Sequence, residues 1–204
     1  MSDEGVDESK RATLRRFAAL GTAGSIARFA GGADAATGDS DTRDAIVGYL
    51  EATPGAHFSK LRDDLHLGTG ETQHHLRQLL ESGAIESHED GDYRRFFPAG
   101  RFDDFEKTAL SYLRRDTVRG ILIALLEEPE SSGSDLAEAV GVSRPTVSKY
   151  AGELEAVGLL DRTDGYRLVN PETVLLLVVR YADSFDADAE SFARDAASVV
   201  TYDP

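Results

Sequence analysis

Ser143, Arg144, Thr146, Ser148 and Lys149 lie close together in the stretch GVSRPTVSKYAGELEAVGLL (141–160). Hydroxyls, a guanidinium and an ammonium are the groups that hydrogen-bond phosphate oxygens and base edges. Their spacing places them on the first half of a helix, while Val147 and Leu154 point the other way. The free N–H groups of that helix start add partial positive charge. Glu153 and Glu155 come later on the helix, away from the contacting half.

A related pattern occurs earlier. Sliding the chain along itself by 75 residues aligns 41–86 with 116–161 without a gap. Asp41, Thr42, Ile46, Leu50, Pro54, Ser59, Leu61, Leu79 and Gly83 meet identical residues, and the apolar register is kept between them. The first copy places Gln73, His74 and Arg77 on its matching helix. Gln reads adenine bidentately, and His or Arg reaches a base or a phosphate. Glu71 has no acidic counterpart in the second copy, where Thr146 stands.

The elements that must position these groups follow from the same alignment. Asp41 and Asp116 are expected to N-cap a first helix, with apolar faces Ala45, Ile46, Tyr49, Leu50 and Val118, Ile121, Leu122, Leu125. Pro54 and Pro129 stop it. Ser59 and Ser134 are expected to cap a short second helix. A tight turn, HLGTG or GVSRP, leads to a third helix over roughly 70–82 or 145–157, which ends at Gly83 or Gly158. Two strands follow around Asp90-Gly91 or Asp164-Gly165.

Helix, helix, turn, helix and hairpin is the winged helix-turn-helix order. On the motifs SDLAEAVGVSRPTVSKYAGELEAVGLLDRTDGYRL and SKLRDDLHLGTGETQHHLRQLLESGAIESHEDGDYRRFF, the chain resembles tandem winged-helix transcriptional regulators of the haloarchaeal type, within the broad MarR/ArsR-like class. The resemblance covers about 41–171. It implies a mainly α fold with small β wings (α+β), with each third helix in the major groove of double-stranded DNA. It also implies that each wing touches phosphate or the minor groove, which adds Arg167, Arg94 and Arg95 to the candidate contacts. Because Arg94 and Arg95 are adjacent on a strand, only one of them can face DNA. The function expected is that of a sequence-specific DNA-binding regulator. The alternative is a winged-helix interaction module that reads no DNA.

Composition bounds these readings. The formal net charge is −15, from 37 acidic and 22 basic residues. The lysines are Lys10, Lys60, Lys107 and Lys149. Acid-rich, Lys-poor composition suits a cytoplasm with molar salt, where the Debye length falls to about 3 Å and self-repulsion is screened. An ordinary acidic mesophile is the alternative. The chain has no Cys, which excludes disulfides and thiol chemistry. No apolar run is long enough for a membrane span, so a cytoplasmic protein is expected. No catalytic constellation, cofactor motif or metal site is read. Of His57, His66, His74, His75 and His88 no two stand four apart, and adjacent His74 and His75 point about 100° apart on a helix.

The flanks complete a division into 1–40 (basic segment and linker), 41–100, 101–115 (connecting helix), 116–171 and 172–204. Residues 9–33 hold basic residues and no acid. They read as an amphipathic helix or basic arm, a partly ordered tail, or a weak twin-arginine-like export signal around Arg15-Arg16. Residues 34–41 read as a Gly/Asp/Ser-rich linker. The helix expected over 172–185 is apolar on more than one face, which calls for burial on two sides. A final helix is expected through Phe185, Ala189, Phe192, Ala196 and Val199. Paired helices of this kind point to a homodimer.

Overall fold

A computed structural model of the chain describes residues 36–196 apart from residue 92, with side chains from Asp39 onward. The basic segment 9–33 and Val199 lie outside the described residues. The chain divides into two compact units between Phe102 and Asp103.

In the first unit the order is α1 (Ala36–Ala52), β1 (Ala56–His57), α2 (Phe58–Asp64), α3 (Thr69–Glu81), β2 (Ile85–Asp90) and β3 (Tyr93–Pro98). Ile46, Leu50, Leu61, Leu76, Leu79 and Ile85 are the centre of its core. The faces read from helical spacing are therefore the buried ones. β2 and β3 form an antiparallel hairpin running from Ile85↔Pro98 to Asp90↔Tyr93. β1 pairs with the other edge of β3, Ala56 opposite Phe96 and His57 opposite Arg95. This makes a three-stranded sheet of order β1-β3-β2. The third strand is not visible in the sequence, because two residues carry no period.

The second unit runs α4 (Asp104–Leu113), α5 (Asp116–Glu127), α6 (Gly133–Val140), α7 (Arg144–Ala156), β4 (Leu160–Asp161), β5 (Arg167–Leu168), α8 (Pro171–Tyr181), a 3₁₀ turn and α9 (Ala187–Asp195). Its hairpin has only the pairs Leu160↔Leu168 and Asp161↔Arg167. Helices with small antiparallel sheets in both units make this an α+β, tandem winged-helix architecture.

The repeat extends to the backbone. Gly83 and Gly158 both have positive φ, 69° and 76°, just past α3 and α7. Gly141 at the end of α6 has φ 69°, and its counterpart His66 adopts φ 54° without being glycine. The turn after the second helix thus needs the left-handed conformation in both copies, and only one copy uses the residue suited to it.

Four helix starts differ from expectation. α1 begins at Ala36, so Asp41 lies inside the helix and residues 36–41 are not linker. α5 is preceded by Arg115, and Asp116 is its first residue, bonded to Arg119 at 3.0 Å. Ser132 rather than Ser134 caps α6, in a reciprocal pair with Asp135. His57 rather than Ser59 caps α2, its Nδ1 accepting from the Lys60 N–H at 3.3 Å. In each case a neighbour one to five positions upstream starts the helix earlier, a shift that composition near a helix end does not settle.

α8 begins at Pro171 as expected but ends at Tyr181. It packs on α4, α5 and α9, with Val174, Leu177, Val178 and Tyr181 buried. Leu176 remains 68% exposed and Val179 37%.

Candidate nucleic-acid interface

α7 presents most of the residues singled out in the second copy. Val147, Ala151 and Leu154 are buried, while Ser143, Arg144, Ser148 and Lys149 are exposed and Thr146 is half-buried. Arg144 and Ser148 stand one turn apart on the same side, with Lys149 next to them. Ser143 is the N-cap. Its Oγ accepts from the Thr146 N–H at 3.3 Å and lies 2.8 Å from Thr146 Oγ1. Those two hydroxyls thus fix the helix start, and the outward chemistry falls to Arg144, Ser148 and Lys149.

The charge around α7 is arranged locally. No acid stands in its first turn, so no carboxylate of α7 itself offsets its N-terminal dipole. Glu153 is engaged by Arg115 at 3.2 Å and by Lys149 at 3.7 Å. Glu155 is engaged by Arg162 at 3.5 Å. The acids on the later half of the helix are thereby partly neutralised from within. Arg144 forms no ion pair among the described residues. In the wing, Arg167 is 54% exposed and reaches Glu130 at 3.3 Å.

The first copy is built differently. Gln73 and Arg77 are exposed one turn apart on α3, with His74 beside them. The helix start carries Glu71, whose Oε2 accepts from the Gly68 N–H at 3.1 Å. The N-cap itself is Gly68, without a side chain, where the second copy has Ser143, so the Glu71 carboxylate takes over the capping. The same carboxylate compensates the dipole that would attract phosphate. In the first wing Arg94 is exposed and bonds Ser87 Oγ at 2.9 Å.

Arg95 is corrected. It is buried, its Nε donating to Asp90 Oδ2 at 2.6 Å and its Nη1 to the Gly55 carbonyl at 3.1 Å. Strand alternation allowed one arginine outside. β1, pairing on the far edge of β3, gives the other a buried acceptor and makes it a structural residue. Tyr93, 50% exposed at the start of β3 and 5.5 Å from the His57 ring, is an outward aromatic that the sequence reading did not single out. Strand alternation puts Tyr93 on the face of Arg95 and Phe97, both buried, so its exposure at the strand start carried no signal in the sequence.

The structure also brings together groups that sequence spacing separated. Asp39 of α1 joins His74 and His75 of α3, and one ligand atom from each lies within 4.8 Å of the others. The expectation against a metal site weighed histidine spacing and the lack of Cys, without the carboxylate of a different helix.

No helix among the described residues is long and apolar enough to cross a membrane. The family model described as an N-terminal HTH domain matches residues 40–110. That described as winged helix-turn-helix DNA-binding matches residues 114–161. An uncharacterized HTH-type transcriptional regulator of Methanocaldococcus jannaschii is 28% identical over 131 residues, covering 64% of this chain and 33% of the relative. The chain spans about a third of that curated relative's length. No solved structure matches the chain. The chain thus carries two helix-turn-helix domains in tandem, the second of the winged DNA-binding kind, and is similar to an archaeal HTH-type transcriptional regulator.

Proposed function

We infer that this chain is a sequence-specific, DNA-binding transcription regulator of the cytoplasm, with α7 as its principal reading helix. The observation that carries this is the outward face of Arg144, Ser148 and Lys149 at a helix start without acid, in the region that matches a winged DNA-binding family. Arg144 and Lys149 supply the phosphate or base contacts, and Arg167 touches the backbone from the second wing. Gln73, His74, Arg77 and Arg94 form a secondary surface in the first unit, weakened at its phosphate end by Glu71.

The acid balance is compatible with this role. Much of the basic content is engaged inside the units: Arg95 with Asp90, Arg119 with Asp186 and the Leu113 carbonyl, Arg114 with Ser184. Binding then rests on a few outward cations rather than on bulk charge. In the molar salt that an acid-rich, Lys-poor surface suits, the long-range penalty is screened and direct hydrogen bonds survive. A homodimer is part of this reading. Leu176 and Val179 lie one turn apart on α8 and are left exposed by its own unit.

Chromatin immunoprecipitation in the native host tests the function. Enrichment of discrete DNA sites that share a motif is expected. Enrichment of no DNA, with the chain recovered on a protein partner, would replace this reading with that of an interaction module.

A further inference from the structure

His75 is 97% buried, with a relative exposure of 3%, yet its Nδ1 has no hydrogen-bond partner. Its Nε2 stands 3.8 Å from Asp39 Oδ1, beyond hydrogen-bond length. A buried ring nitrogen without a partner carries a cost that a ligand bound at the ring can offset.

Around it two exposed ligands are in place. His74 lies on the neighbouring side of α3, its ring 5.3 Å from that of His75. Asp39 lies in the first turn of α1. Its Oδ2 is 3.8 Å from Arg43, which is itself anchored on Gln78 Oε1 at 2.9 Å. Arg43 thus approaches Oδ2, whereas Oδ1 is the oxygen that faces His75.

We propose that Asp39, His74 and His75 bind one divalent first-row transition-metal ion of the zinc, cobalt or nickel type, clamping the start of α1 to α3. Two imidazoles and one carboxylate suit these ions. Magnesium and calcium favour oxygen ligands throughout and are disfavoured. Two ligands on one tetrahedral ion with bonds near 2.0–2.1 Å stand about 3.3 Å apart. The present limit of 4.8 Å closes to that by side-chain rotation of Asp39 and His74, both at the surface. Water completes the coordination on the exposed side.

The site has a consequence for α3. His74 is on the outward face assigned to DNA, so a metal ion withdraws it from that face. This consequence rests on the DNA-binding reading, whereas the metal site does not.

The test is titration of the full chain with Co²⁺, followed by its d–d absorption and by Zn²⁺ displacement. One equivalent is expected, unaffected by excess Mg²⁺. Asp39→Asn and His74→Gln should each weaken it at least about tenfold, the cost that even outer-shell changes impose. Both are exposed, so far-UV circular dichroism should not change. His66→Gln, outside the cluster, serves as the control and should bind as wild type. Loss in the two ligand variants alone supports the site. Wild-type Co²⁺ binding in both, or no binding in the parent chain, overturns it. Anisotropy on DNA with and without Zn²⁺ reads the consequence separately. Co²⁺ bound through these residues, with no DNA bound in either state, would refute the DNA reading and leave the metal site standing.

Discussion

Arg95→Met should destabilise the first unit by about 3–5 kcal/mol, the cost of breaking a buried ion pair by removing one partner. The side chains of Arg95 and Asp90 are 4% and 2% exposed, and the Nε–Oδ2 distance is 2.6 Å. Methionine fills much of the stem but offers nothing to the carboxylate, which is left buried. The Gly55 carbonyl also loses its donor, a further penalty of about 1 kcal/mol if water does not replace it. At roughly 4 °C or more per kcal/mol for a unit of this size, the 3 kcal/mol end alone lowers the melting transition by about 12 °C. Thermal unfolding followed by circular dichroism measures this, in low and in molar KCl. The loss should persist at high salt, because a buried pair is screened little. Arg94→Met is the internal comparison. Its side chain is exposed, and its stability should stay within about 0.5 kcal/mol of the parent. The double variant Asp90→Leu/Arg95→Met should recover most of the loss, since it removes both charges of the buried pair. If Arg95→Met melts like Arg94→Met, the guanidinium is at the surface and its assignment to the base of the wing is wrong.

His66→Gly should stabilise the first unit by up to about 1 kcal/mol, because it relieves a left-handed residue that the second copy satisfies with Gly141; a lower urea midpoint would contradict this. His57 caps α2 through a neutral Nδ1, and burial followed by the charges of Arg95 and Lys60 lowers its pKa from 6.5. A depressed folded pKa means that the unfolded chain takes the proton first. Its contribution is thus present above about pH 6.5 and is lost as pH falls through the folded value. His57→Asn, which keeps an acceptor, should unfold with a shallower pH slope between about pH 5 and 7 than the parent; equal slopes would count against the cap. Leu176→Glu should yield monomers in light scattering at molar KCl without loss of helix signal; an unchanged mass would remove α8 from the dimer interface.

The repeat, the helix faces and the positions of α3, α7 and their terminal glycines could be read from the chain, because each rests on local periodicity or on a required left-handed turn. Helix starts were less legible. Ser132 and Ser134, or His57 and Ser59, compete within a few residues, and the winner depends on where the preceding chain arrives. The burial of Arg95 was hidden for a different reason. It depends on β1, too short to show a pattern, meeting β3 from 40 residues away. Asp39 beside His74 and His75 is likewise a product of α1 packing on α3. Of the interface on α7, residue types and spacing were readable. The hydroxyl pair of Ser143 and Thr146 and the internal neutralisation of Glu153 and Glu155 were not, because they depend on side-chain rotamers and on Arg115 and Arg162 arriving from other parts of the unit.

The central claim is that α7 reads DNA through a few outward cations in an otherwise acidic chain. Fluorescence anisotropy on a duplex enriched from the native host, beside a scrambled duplex and at matched molar salt, tests it most directly. Arg144→Ala and Lys149→Ala should each weaken specific binding by about 1–3 kcal/mol, on the order of 5- to 150-fold, with unchanged melting points. Glu155→Gln, past the contacting half of the helix, should change it far less. Wild-type affinity in both Arg144→Ala and Lys149→Ala, with the protein folded, would show that α7 is not the reading helix.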